Sequence, residues 1–257
     1  MLGKLLKYEI PAMGRKLLPL YIAWAVSAVF LGVSTQLVDS KSEFTMVLSI
    51  LLYTAVATAI VVLTIIMIVQ RYSRSLLGDE AYFNQTLPVS VPEHIANKLI
   101  SAIIWIVITG AVALVTGLII MIFGGLIGEL ASANWSNLEF DLPKGWGLAL
   151  VEMILMCIAG LTKTVMQIYA AITIGHQAAD KTSLASIGAY IGILVFESFV
   201  SRLALGLFPG IVRDSVYLGS FAALHAFFLP AILGTLILSA IYFFVCKVLM
   251  EKHLNLA

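Results

Sequence analysis

Six long apolar stretches, broken by short polar connections, constrain this chain more than any other feature of it. They lie near Leu17–Gln36, Thr45–Val69, Leu99–Ile127, Leu148–Gly175, Leu184–Leu205 and Phe221–Val245. Crossing about 30 Å of hydrocarbon takes roughly 20 helical residues, and each stretch supplies that length. Transmembrane strands would alternate apolar and polar residues over about 9–11 positions, and no such alternation is present. Charged residues make up 11% of the chain, against about 25% in soluble domains. The expected fold is all-α and integral to the membrane, with residues 1–257 forming one transmembrane domain of six helices.

An even number of spans puts both termini on one side. Lys4, Lys7, Arg15, Lys16, Arg71, Arg74, Lys98, Lys181, Lys247 and Lys252 fall on that side. Only Lys41, Lys144 and Arg213 fall on the other, so the bias of Lys and Arg makes the termini cytoplasmic. Leu2, Leu5 and Leu6 share one helical face, with Lys4 and Lys7 off it and Pro11 following. Residues 1–16 therefore read as a short amphipathic helix in the inner interface, interrupted at Pro11 before the first span. The apolar run after Lys16 is long for a signal peptide, which favours a retained span. Cys157 and Cys246 sit within apolar spans and form no disulfide framework. The net charge of +1, without a basic patch, gives no reason to expect nucleic acid.

The longest polar interruption, residues 71–98, contains apolar residues that a plain solvated loop would not need: Leu76, Leu77, Tyr82, Phe83 and Leu87. Those side chains call for a surface to bury against, and another protein is the preferred one. Asp79 and Glu80 suit a helix start, because acids there meet free N–H groups and complement the dipole. The helix would end near Thr86, since a residue preceding proline, here Leu87 before Pro88, disfavours the α region. Ser90 and Glu93 then fit a capping box, so the third long helix should begin near Val91 and run to Ile127. The alternative reading is an interfacial hairpin whose aromatics sit among lipid headgroups.

The string Leu76-Leu77-Gly78-Asp79-Glu80-Ala81-Tyr82-Phe83-Asn84-Gln85-Thr86-Leu87-Pro88-Val89-Ser90, with Lys98 opening a span, resembles the transmembrane subunit of type-2 ABC exporters. The six-span plan and amphipathic N-terminus resemble that family too. Size and simplicity are similar to the small permeases of bacterial peptide-toxin exporters, the phenol-soluble modulin exporter among them. The resemblance implies a bacterial plasma-membrane protein. It implies that Asp79, Glu80, Tyr82, Phe83, Leu87 and Pro88 form a coupling helix docking on a separate ATPase, which would hold ATP and Mg. It further implies a second, smaller contact at Asp180 and Lys181, and an external or re-entrant element over 206–220. The outer loop, residues 128–147, has room only for a small structure. A second permease copy, identical or homologous, would complete the path.

Charges within the spans are costly and usually face protein or water. Lys163 and Glu197 fall at equal depth, about 20 Å from the inner surface on successive antiparallel spans, so they should pair. Glu152 shares a helix face with Lys163, and Arg202 is placed to pair with Glu152 or Asp214. These groups either fix helix packing or line a path. His225, flanked by apolar residues, should be packed and hydrogen-bonded. Gly110, Gly117 and Gly124 repeat every seven residues and suggest a close helix approach, as do Gly188 and Gly192. Pro230 should kink the sixth span.

No phosphate-binding Gly-Lys-Ser/Thr loop, nucleophile elbow or metal-ligand spacing occurs, so the chain carries no catalytic or metal site of its own. The expected function is a permease subunit driven by a partner ATPase, exporting a hydrophobic or amphipathic peptide, bacteriocin or drug. An ion-coupled secondary transporter is the first alternative and an integral-membrane enzyme the second.

Overall fold

The computed structural model describes residues 2–37, 43–78, 81, 89–132, 146–178, 181–207 and 221–252. All regular structure among them is helical. The elements are α1 (Leu2–Gln36), α2 (Glu43–Tyr72), a π-helical turn (Ser73–Leu77), α3 (Val91–Phe123), α4 (Leu126–Ser132), α5 (Trp146–Gly175), α6 (Thr182–Leu207) and α7 (Phe221–Lys252). Six of these are long and apolar enough to cross a membrane, α2 together with its π turn counting as one. The chain folds into two compact units, Met1–Gln70 with Ile100–Glu139 and Arg71–Leu99 with Phe140–Ala257.

In the first unit, α1 and α3 run parallel in a fixed register. Met13 meets Ser101 and Tyr21 meets Thr109, both pairs 88 positions apart. Thr109 donates to the Trp105 carbonyl, so Tyr21 donates to Thr109 at 2.7 Å. Farther along, Gly32 lies where a Cβ would strike Phe123 and the Ile120 carbonyl. On the other side, Tyr53 of α2 reaches Thr116 of α3 at 3.2 Å, and Ser34 meets Ser49 at 2.6 Å. Hydroxyls that also bond their own helix serve as the interhelical links here. This suits a medium in which apolar packing alone does not drive helices together.

Pro11 does not end a separate N-terminal helix. The α1 helix runs unbroken through Pro11 and Pro19. A proline inside a helix forfeits one hydrogen bond, and packing outweighs that loss. Met13 and Leu17 are fully buried and Gly14 lies against the Trp105 ring. Leu5 and Leu6 are half-buried while Lys4 and Lys7 are exposed.

The third long helix begins at Val91, where the capping box placed it: the Ser90 N–H donates to the Glu93 carboxylate at 3.2 Å. Its end differs from the expected Ile127. The helix stops at Phe123, and Gly125 adopts φ +77, a left-handed conformation that glycine takes without strain. Only the last of the three glycines spaced by seven is a close approach. A Cβ on Gly124 would strike Thr35, whereas Gly110 and Gly117 have open space beside them, as do Gly188 and Gly192.

In the second unit, α5 is the central element. From Val165 to Thr173 nearly every side chain is buried, so this half of the helix is enclosed by protein. It packs on both α6 and α7. Against α7 it runs parallel: Glu152 meets His225 and Thr173 meets Cys246, each pair 73 positions apart. Three heptads separate the two contacts. Ala159 and Met166 on α5, and Ser239 on α7, fall between them at heptad spacing and are buried. A strict seven-residue repeat is the geometry of left-handed coiled-coil packing. Pro230 lies within α7 without ending it. Against α6 the run is antiparallel, with Lys163 beside Glu197 and Gly175 against Ser186.

Candidate functional site

Polar side chains gather at three levels along α5. Near its start, the His225 Nδ1 and a Glu152 carboxylate oxygen lie 2.6 Å apart. His225 is thus hydrogen-bonded, as expected of a packed histidine. Arg202 was expected to pair with Glu152 or with Asp214, and Asp214 lies outside the described residues. Instead Arg202 is exposed on α6, and the parallel register with α7 brings His225 to the carboxylate.

Eleven residues on, about 16 Å along the axis, Lys163 donates to Glu197 at 2.5 Å. The pairing expected from equal depth is present. A third member comes from α7, where the Tyr242 hydroxyl donates to the other Glu197 oxygen at 2.5 Å. Glu197 therefore holds a charge-assisted bond on each oxygen, the strong kind of hydrogen bond. Lys163 has three N–H donors, and among the described residues it meets one acceptor. The Lys163 and Glu197 side chains retain 20% and 12% exposure. Removing one member of a buried ion pair costs about 3–5 kcal/mol, because the other charge is left uncompensated.

The third level lies toward the end of α5. Tyr169 stacks flat on Tyr72 of α2, with centroids 3.8 Å apart and planes 7° apart. Its hydroxyl donates to the Lys98 carbonyl of α3 at 3.2 Å. Tyr72 in turn meets the Thr173 hydroxyl at 2.8 Å, and that hydroxyl donates to the Tyr169 carbonyl. Tyr169 thereby touches both stems of the polar segment 73–97. Neither Tyr72 nor Tyr169 stood out in the sequence, since lone tyrosines in apolar runs carry no motif.

Of the coupling-helix residues, Asp79, Glu80, Tyr82, Phe83, Leu87 and Pro88 lie outside the described residues. The described flanks change part of the reasoning behind them. The helix of the second span continues to Leu77 through the π turn, well past Val69. Ser75, Leu76 and Ala81 are buried within the chain itself, so Leu76 needs no external partner. At the second expected contact Asp180 lies outside the described residues. Lys181 is exposed, and its carbonyl accepts the Ala185 N–H at 2.9 Å to start α6. Of the external element, 206 and 207 belong to α6 and the rest lies outside the described residues. So does most of 128–147, where α4 occupies the first part.

Among the described residues no group of three or more His, Cys, Asp or Glu could hold a metal ion. Cys246 is buried and Cys157 exposed, and neither is in a disulfide. No protein-family model, curated protein or solved structure matches the chain.

Proposed function

We propose that the chain is the membrane subunit of an ATP-driven exporter of the type-2 ABC kind, working with a separate ATPase and a second permease copy. The observation that carries this reading is the setting of the acidic-aromatic-Leu-Pro string. It joins two helical runs of 35 and 33 residues, Glu43–Leu77 and Val91–Phe123. Each is about 50 Å long at 1.5 Å per residue, against about 30 Å of hydrocarbon. Their ends project past the membrane and would present the string to a soluble partner. The excess of Lys and Arg on that side supports a cytoplasmic location in a bacterial plasma membrane. Residues 2–16, with differing faces, would lie at the same interface.

In this reading ATP-driven closure of the ATPase pair pushes on residues 79–87, and the stems carry the push to α5 through Tyr72, Tyr169 and the Lys98 carbonyl. The cargo is hydrophobic or amphipathic, as the resemblance implies. Co-purification with co-expressed ABC ATPases tests the proposal. Tyr82→Ala/Phe83→Ala should abolish ATPase retention while leaving the membrane protein folded. Undiminished retention and transport-coupled hydrolysis in that variant would remove the docking site. The charged cluster at Lys163 favours a second reading, an ion-coupled transporter, which predicts transport by an ion gradient without any ATPase.

A further inference from the structure

We propose that the Lys163–Glu197–Tyr242 cluster is a hydrated binding site for the zwitterionic head of a lipid-like amphiphile. Among the described residues Lys163 meets one acceptor for its three N–H donors, its side chain is partly exposed, and it stands within a helix long and apolar enough to cross a membrane. An ammonium with free N–H groups is not tolerated against lipid tails, so this face meets water or a polar ligand.

The charge of the cluster then selects the ligand. Lys163 and Glu197 cancel, and the hydroxyl of Tyr242 adds no charge. An anion or a cation entering alone would leave a net charge at membrane depth, where even a hydrated charge is costly. A zwitterion leaves none: its anionic group takes the free donors of Lys163, and its cationic group faces Glu197, which Tyr242 keeps in place. The Glu152–His225 pair, on nearly the same face of α5, is likewise partly exposed, at 13% and 28%. It offers a second polar foothold one cluster farther along.

This deepens the exporter proposal, which supplies the reason for such cargo to reach the site, but its test needs no ATPase. The reporter is Gly160→Cys on the chain with Cys157→Ala. A side chain at 160 meets open space and lies about 60° around the helix from Lys163. Ile158→Cys, exposed about 140° from Lys163, is the control at similar depth. In maltoside micelles a charged, water-soluble thiol reagent should label Gly160→Cys at least about tenfold faster than Ile158→Cys. Dodecylphosphocholine should slow that labelling about fivefold or more, and dodecyl sulfate or dodecyltrimethylammonium much less. The neutral double substitution Lys163→Met/Glu197→Gln avoids leaving a lone charge and should abolish the protection. Equal labelling at the two positions overturns the hydrated site. Equal protection by singly charged amphiphiles, or protection that survives in the double variant, overturns the zwitterion assignment. Loss of ATPase binding elsewhere would leave all of these readouts unchanged.

Discussion

Tyr169 holds Tyr72 by its ring face and the Lys98 carbonyl by its hydroxyl, so one side chain of α5 fastens the last turn of α2 and the first turns of α3. The two functions of the side chain separate by substitution. Tyr169→Phe keeps the stack and loses one hydrogen bond, at a cost of about 0.6–1.5 kcal/mol. Tyr169→Ala loses the aromatic body as well and should cost about 3–5 kcal/mol. Thermal unfolding of the purified protein in detergent gives both values. A Phe variant as damaged as the Ala variant would show that the stack contributes nothing.

Within the charged cluster, single and double substitutions should differ in a characteristic way. Lys163→Met alone leaves Glu197 with only the Tyr242 hydroxyl and should destabilise by up to about 3 kcal/mol, since the pair is part-buried. Lys163→Met/Glu197→Gln should cost much less, since no unpaired charge remains. Tyr242→Phe should fall between them, at about 1.5–3 kcal/mol for a hydrogen bond to a charged group. A double variant as unstable as the sum of its singles would exclude direct coupling between the pair.

The fixed register of α5 and α7 predicts which cysteine pairs can be joined. Met166 and Ser239 keep the offset seen at Glu152–His225 and Thr173–Cys246, and both are buried. Met166→Cys/Ser239→Cys should form a disulfide on mild oxidation, which needs Cα atoms about 4.4–6.8 Å apart. Met166→Cys/Ile241→Cys, with position 241 exposed, should not. Peptide mapping by mass spectrometry distinguishes the two.

Gly175 and Gly117 should respond oppositely to alanine. A Cβ at Gly175 would collide with the backbone and hydroxyl of Ser186, so Gly175→Ala should cost about 1–3 kcal/mol by forcing α5 and α6 apart. Gly117 has open space, and Gly117→Ala should be neutral or raise stability by up to about 1 kcal/mol through helix propensity. Unfolding temperatures of the two variants, measured side by side, check the contrast.

The features legible in the sequence were those set by length or by a few adjacent residues. Six spans followed from the hydrocarbon thickness, the start of α3 from Ser90 and Glu93, and the Lys163–Glu197 pair from equal depth. The two parallel registers were not legible. In water a heptad seam stands out because the other helix faces are polar, but here every face is apolar and the contrast vanishes. That is why nothing in the sequence marks Tyr242 as a partner of Glu197 or His225 as a partner of Glu152. The reading of Pro11 failed for a different reason. A local rule for helix ends ignored the burial of Met13 and Leu17, which carries α1 straight through.

The seam between α5 and α7 also limits how this unit can move. A slip of one residue would part Glu152 from His225 and Thr173 from Cys246 in the same instant, at sites about 31 Å apart. The two helices therefore travel as a single beam. None of the described side chains of α6 is fully buried, and its charged link to that seam is Glu197. A displacement of α6 along the seam would change what Lys163 and Tyr242 hold.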